Sequence, residues 1–175
     1  MRLRDAEERD MAPLLALING YADRDLLLRR TEESLRRALP DFVVATIPSA
    51  SGGDEIVGCG ALTMLGPSLG EVRSLAVRPG HAGKGLGRRI VEHLLIEARE
   101  RGFVEVLALT RRSSFFDALG FEVTRRERFI DKLMVDCGAC PLNLCCDEIA
   151  MVRPPAAPGE FAAPPLEKAH ARKEL

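Results

Sequence analysis

The stretch Glu71 to Ala98, EVRSLAVRPGHAGKGLGRRIVEHLLIEA, constrains this chain more than any other. A strand-like run enters a turn with four glycines between Gly80 and Gly87, then continues as an amphipathic helical pattern. Ile90, Val91, Leu94, Leu95 and Ala98 share one helical face, and Gly102 ends it. Gly83, Gly85 and Gly87 let the backbone turn with its N–H groups converging and no Cβ in a ligand's way. The helix beginning near Leu86 adds unpaired amides and the positive end of its dipole. Together these suit a pyrophosphate. A tight strand-to-helix turn that binds nothing is the plainer alternative, but four glycines exceed its needs. The spacing is not the dinucleotide fingerprint, and Lys84 is followed by Gly85 rather than the Ser or Thr of a phosphate loop.

Around this unit the chain reads as alternating elements. Met1–Arg4 is predicted as a short edge strand, followed by a helix over 5–21 with Met11, Leu14, Leu15 and Ile18 at helical spacing. TEESLRRAL is a short helix opened by Thr31 and stopped by Pro40. FVVATI, EIVGCGALTML and EVRSLAV are strands, separated by PSASGGD and GPSLG. FVEVLAL is a buried strand, SSFFDAL a short helix capped by Gly120, FEVT and EIAMV further strands, and RFIDKLMVDC is ambiguous. The order β-α-α-β-β-β-α-β-α-β-β implies an α/β (α+β) domain, a mixed sheet with helices on both faces. That domain is read as residues 1–153, with a Cys-rich segment at 137–148. The Pro/Ala-rich stretch 154–175 is read as a disordered tail.

At 175 residues the chain fits one domain, and its net charge of -1 argues against general binding to nucleic acid or a membrane surface. The charged N-terminus MRLRDAEERDMAP has no apolar core of a secretory signal, and no apolar run is long enough to span a membrane. Four of the five cysteines crowd between Cys137 and Cys146, unlike a secreted disulfide framework, so a cytoplasmic setting is expected. Cys137, Cys140 and Cys146 have the look of a zinc knuckle. Structural thiols packing the last strand are the alternative, and no metal is assigned. Cys59 lies on an apolar strand and reads as core, while His93 and His170 read as surface residues.

LAVRPGHAGKGLG followed by an amphipathic helix resembles the acetyl-CoA signature of the GNAT N-acetyltransferases, and FFDALGF resembles that family's aromatic-aromatic-x-x-x-Gly-Phe segment. The resemblance implies a sheet whose central strands splay. Acetyl-CoA would be the co-substrate. The backbone of Leu75, Ala76 and Val77 would pair with its pantetheine arm, and Gly83, Lys84, Gly85, Leu86, Gly87 and Arg88 would wrap the pyrophosphate. Two positions depart from the pattern: Ala82 replaces a common Gln or Arg, and Phe116 replaces the Tyr that protonates the leaving thiolate in many members. INGYADRDLLLRRTEESL, VGCGALTMLGPSLGEVRSLAV and CGACPLNLCCDEIAM further resemble the short stand-alone N-acetylglutamate synthases.

That resemblance implies transfer of acetyl to the α-amine of L-glutamate, giving N-acetyl-L-glutamate for arginine biosynthesis through a tetrahedral intermediate. The partner is then a small-molecule amino acid, and a homodimer is compatible with the chain. Glutamate carries two carboxylates, which guanidinium groups bind bidentately. By the resemblance Arg30 is a substrate ligand; an exposed arginine before a helix is the alternative. Glu71 and Arg73 fall on one face of a strand, as a base and a carboxylate-binding cation or as a solvated charge pair. Lys132 is a third substrate-side candidate. Glu71 is the expected base for the incoming ammonium. Ser113 matches the hydroxyl proposed as thiolate acid in larger synthases, or else caps the short helix it begins. Other readings are a GNAT enzyme for another small amine or a protein N-terminus, and a non-catalytic acyl-CoA-binding module.

Overall fold

Apolar residues at helical or strand spacing account for most elements of the chain, and glycines and prolines for where they stop. The computed structural model describes residues 1–49, 52–129, 146–162 and 166–167. Strand β1 (Arg2–Asp5) leads through a 3-10 turn, Glu8–Asp10, into helix α1 (Met11–Ala22) and then α2 (Glu32–Ala38). Thr31 caps α2, its hydroxyl accepting the Ser34 amide at 3.1 Å, and Pro40 lies just beyond the helix end, where it supplies no amide to prolong it. Three strands follow: β2 (Phe42–Pro48), β3 (Asp54–Gly66) and β4 (Leu69–Val77). Then come helix α3 (Leu86–Glu100), strand β5 (Glu105–Thr110), helix α4 (Ser113–Asp117) and strands β6 (Glu122–Val123), β7 (Ile149–Arg153) and β8 (Leu166–Glu167).

The strands form one sheet in the order β6-β7-β5-β4-β3-β2-β1-β8. Strands β1 to β4 run antiparallel in sequence-adjacent pairs, whereas β4 and β5 are parallel because α3 carries the chain back between them. Helix α3 covers one face, burying Ile90, Val91, Leu94 and Leu95 against Val43, Val57, Leu62 and Val72. Gly60 admits it closely: a Cβ there would stand 2.8 Å from Ile90 Cγ2. Helices α1 and α2 cover the other face, with Leu14, Ile18 and Leu35 against Phe42, Val44, Cys59 and Ala61. This is the mixed, doubly covered sheet of the GNAT fold. Among the described residues no helix is long and apolar enough to cross a membrane.

Two sequence expectations change. His93 is buried at 4 % exposure, because the apolar face of α3 is wide enough to take in the whole Ile90–Ala98 turn on that side. The reading of 154–175 as wholly outside the fold also changes at its start. Ala156 is buried and its amide donates to the Leu95 carbonyl at 3.1 Å. Phe161 packs on the α3 core, and Glu160 pairs with Arg153 at 2.7 Å. A Pro/Ala-rich composition hides this docking, since one small residue and one ring carry it. Leu166–Glu167 adds a short parallel pairing to β1.

At this same edge of the sheet β1 holds a buried ion pair: Arg4 grips Asp10 with bonds of 2.6 and 2.9 Å, and the Glu7 amide adds a third at 2.8 Å. Burial pushes the Asp10 carboxyl up, but Arg4 and the Glu7 amide more than reverse this and hold it below the ordinary carboxylate value. A carboxyl whose folded pKa is lowered stabilises the fold above its unfolded pKa, about 3.9, and stops doing so as pH falls through the folded value. We therefore expect the stability gap between wild type and Asp10→Asn, measured by urea unfolding, to be full at pH 7 and to shrink below about pH 4. A gap independent of pH would contradict this assignment.

Candidate active site

The site begins with a fault in the ladder between β3 and β4. Ala61 faces Arg73, but Cys59 faces Ala76, so β4 carries one residue more than β3 across this interval. The extra residue is accommodated at Ser74, whose φ of 52° lies in the left-handed region. The bulge shifts the alternation of side chains. Val72, Leu75 and Val77 pack with the α3 core, whereas Ala76 joins the α1–α2 core on the face of Glu71 and Arg73. Strand β4 pairs with β5 only from Leu69 to Val72, although β5 continues to Thr110 alongside β7. Past Val72 the two strands part. The backbone edge of Leu75 to Val77 thus lines a slit between them, the splay expected for this fold.

Glu71 lies at the base of the slit, buried at 3 % exposure, with Arg73 Nε 3.6 Å from its carboxylate. Arg30 approaches from the α1–α2 loop. Its Nε donates to Ser74 Oγ at 3.2 Å, and its guanidinium stacks over Phe42 at 5.6 Å. Its backbone is clasped on both sides by Asn19, whose amide donates to the Arg30 carbonyl at 3.0 Å and accepts the Arg30 N–H at 2.9 Å. Glu71, Arg73 and Arg30 are therefore brought to one locus by the bulge. Tyr21, the sole tyrosine, donates its hydroxyl to the Val77 carbonyl at the slit's edge.

Val77 leads straight to the glycine turn. Gly83 and Gly85 have φ of 74° and 78°, and a Cβ on either would meet nothing within 4 Å, so a side chain there would occupy an open groove. Gly85 is the N-terminal cap residue of α3. The Lys84 ammonium turns back onto the Gly80 carbonyl at 2.9 Å. Helix α4 seats beside this turn: Arg88 donates to the Ala118 carbonyl at 3.3 Å, and the Phe115 ring and Val77 side chain stand within contact of the Gly87 Cα side. This groove and the unpaired edge of Leu75–Val77 form a track whose shape and amide donors fit coenzyme A.

Ser113 is the first residue of α4, but no side-chain cap is formed at that end; the Arg112 amide bonds instead to Thr110 Oγ1 at 2.9 Å. Ser113 stands one residue inside the helix, with Arg112 at the cap position. Phe116 is buried, its ring edge-on to Phe115 and Phe121 at 5.1 Å each, which makes it a core residue. Lys132, Cys137 and Cys140 lie outside the described residues. Cys146 Sγ is 3.9 Å from Glu148 Oε2. Cys59 is core as expected, and burial pushes its thiol up to about 12. Sequence reasoning missed Ser74 and Asn19, because a bulge and a loop clasp leave no mark in composition.

Residues 8–121 match the Acetyltransferase (GNAT) family. The chain belongs to that family. This GNAT acetyltransferase is 35% identical over 151 residues to an uncharacterised N-acetyltransferase of Chlorobaculum tepidum, spanning 86% of this chain and 94% of that one. It is 38% identical over 119 residues to an amino-acid acetyltransferase of Mycobacterium tuberculosis, spanning 68% of this chain and 67% of that protein. A Mycobacterium tuberculosis protein solved in complex with CoA superposes with a TM-score of 0.74 at 29% identity, over 88% of this chain and 99% of that one. As a member of the family, the chain is an acetyl-CoA-dependent acetyltransferase.

The bulge itself can be tested. A β-branched residue at φ 52° is strained, and Ser74→Val also removes the Arg30 partner. We expect Ser74→Val to lower unfolding free energy by about 1–3 kcal/mol and Ser74→Gly to lower it much less, as glycine accepts this conformation. Equal losses in denaturant titrations would remove backbone strain from the account.

Proposed function

We propose that this acetyltransferase moves the acetyl group of acetyl-CoA to the α-amine of L-glutamate, giving N-acetyl-L-glutamate of use in arginine biosynthesis. The observation that carries this reading is a buried carboxylate, Glu71, beside Arg73 and on the same strand as the Ser74 that anchors Arg30, next to an unpaired strand edge. A cationic amine substrate would prefer an acidic cleft, whereas two guanidiniums suit an amino acid's carboxylates. The similarity to an amino-acid acetyltransferase supports the same acceptor class.

In this reading acetyl-CoA supplies an activated acyl carbon, and the chain's residues position and deprotonate the acceptor. The amides of Gly83 to Arg88 and the α3 N-terminus hold the pyrophosphate, and the Leu75–Val77 edge aligns the pantetheine arm. The Val77 carbonyl has two lone pairs, so Tyr21 and a pantetheine amide can share it. Arg30 and Arg73 fix the α-carboxylate, which turns the ammonium toward Glu71. Glu71 takes the proton, directly or through water, and frees the amine to attack. A strand amide next to the bulge faces the oxygen that gains charge. Ser113, at the start of α4, is the proposed proton source for the departing thiolate, since Phe116 has none to give.

Thiol release measured over a panel of amino acids and amines tests the acceptor. Stimulation by glutamate supports the reading; stimulation only by other amines, or CoA binding without release, contradicts it. Glu71→Gln should lower kcat by about 10²–10⁴-fold with little change in the acetyl-CoA KM. Gly85→Val, which fills the open groove, should instead raise the acetyl-CoA KM by about tenfold or more, the loss of a charge-assisted contact.

A further inference from the structure

The Pro/Ala-rich segment after β7 begins around one buried charge. Arg153 ends β7 at 9 % exposure, and every arm of its guanidinium fork is engaged. Nε donates to the Pro154 carbonyl at 2.9 Å, Nη2 to Glu160 Oε1 at 2.7 Å, and Nη1 to the Leu119 carbonyl. The Phe161 ring covers the guanidinium face at 5.6 Å. Ala157, Pro158, Gly159 and Glu160 form the turn that brings the carboxylate back to this point. Proline suits the first corner, Gly159 takes a φ of 78° at the second, and the Glu160 amide donates to the Ala157 carbonyl at 3.1 Å. The second Glu160 oxygen accepts the Ala157 amide at 2.7 Å, so the carboxylate is aimed from both sides. Without it, Arg153 would keep its buried charge and lose the group that offsets it.

Leu119 follows α4, a helix of five residues that is too short to hold its place by its own hydrogen bonds. The carbonyls at its end are gripped from two sides, Leu119 by Arg153 and Ala118 by Arg88 at 3.3 Å. Arg88 belongs to the first turn of α3, at the glycine groove. Phe115, on the same short helix, stands against that turn: a Cβ on Gly87 would lie 3.6 Å from Phe115 Cζ. A continuous connection therefore runs from Glu160 through Arg153 and α4 to the wall of the donor groove. We propose that Arg153 is a positioning residue for the donor site and that the turn 157–160 is the clasp that sets it. Glu160 fixes Arg153, Arg153 fixes the end of α4, and α4 presents Phe115 to the turn that holds coenzyme A. This rests on the reading that coenzyme A occupies the groove of Gly83 to Arg88. A segment that merely secured the fold would alter the melting temperature and leave donor affinity untouched.

Calorimetry with CoA on wild type, Glu160→Ala, Glu160→Gln, Gly159→Val and Gly85→Val separates these roles, at a temperature where thermal melts show each chain folded. Glu160→Ala should weaken CoA binding by about three- to tenfold, as loss of one charge-assisted bond in the connection implies. Glu160→Gln keeps an acceptor for Arg153 and should lose less. Gly159→Val should reproduce most of the Glu160→Ala loss. A Cβ at 159 meets nothing within 4 Å, so the substitution acts through the backbone angle that aims Glu160. Unchanged CoA affinity in Glu160→Ala or Gly159→Val, whatever the melting temperature does, overturns the proposal. Should Glu160→Ala not fold, Gly159→Val decides by the same criterion. If Gly85→Val also leaves CoA affinity unchanged, the groove is not the donor site and the inference falls with that reading. A loss confined to Gly85→Val overturns the inference alone.

Discussion

The bulge at Ser74 is the constraint on which the rest of the site depends. One additional residue in β4 breaks the register with β3 and reverses which side chains face which helix layer. Because the reversal falls after Arg73, the Glu71 and Arg73 side chains remain on the α1–α2 face while Leu75 and Val77 anchor the strand end in the α3 core. An unbulged strand would place Leu75 on the face of Arg73 and leave the strand end without that anchor. The same distortion presents Ser74 Oγ to Arg30, tying the α1–α2 loop to the strand. Backbone strain is thus coupled to the positioning of the charged groups that surround the slit.

The second half of the site follows from the return crossover. Helix α3 must start where β4 ends for the β4–β5 pair to be parallel, and the glycine turn makes that start wide enough for a ligand. Helix α4 then closes the side of the groove through Phe115, Phe116 and the Arg88–Ala118 contact. Phe116 belongs to the packed core, with ring contacts to both of its aromatic neighbours. A phenyl ring has no proton to give, so in the mechanism proposed the proton supply to the thiolate falls to another residue at the α4 start.

Element order was legible from the sequence because apolar periodicity and turn residues agree along most of the chain. The Thr31 cap, the Pro40 stop and the Gly120 turn after α4 all act locally, and local chemistry is what a sequence displays. The glycine turn was legible for the same reason. The bulge was not: serine has no preference for a left-handed backbone, and only pairing with β3 imposes it. The contacts of Arg111 with Asp25 and Asp147 were not legible, because both partners are distant in the chain. His93 and Ala156 were misplaced because their burial is decided by what packs over them rather than by their own polarity or neighbours.

The central claim is spatial: the parted edge of β4 holds the donor while the bulge holds Glu71 and two guanidiniums toward the acceptor. A crystal structure with coenzyme A and glutamate tests it most directly. The account predicts the pyrophosphate on the amides of Gly83 to Arg88, the pantetheine arm along Leu75 to Val77, and the glutamate amine within hydrogen-bond reach of Glu71 or a water bound to it. Coenzyme A outside that groove, or glutamate with its amine turned away from Glu71 and its carboxylates clear of Arg30 and Arg73, would contradict it.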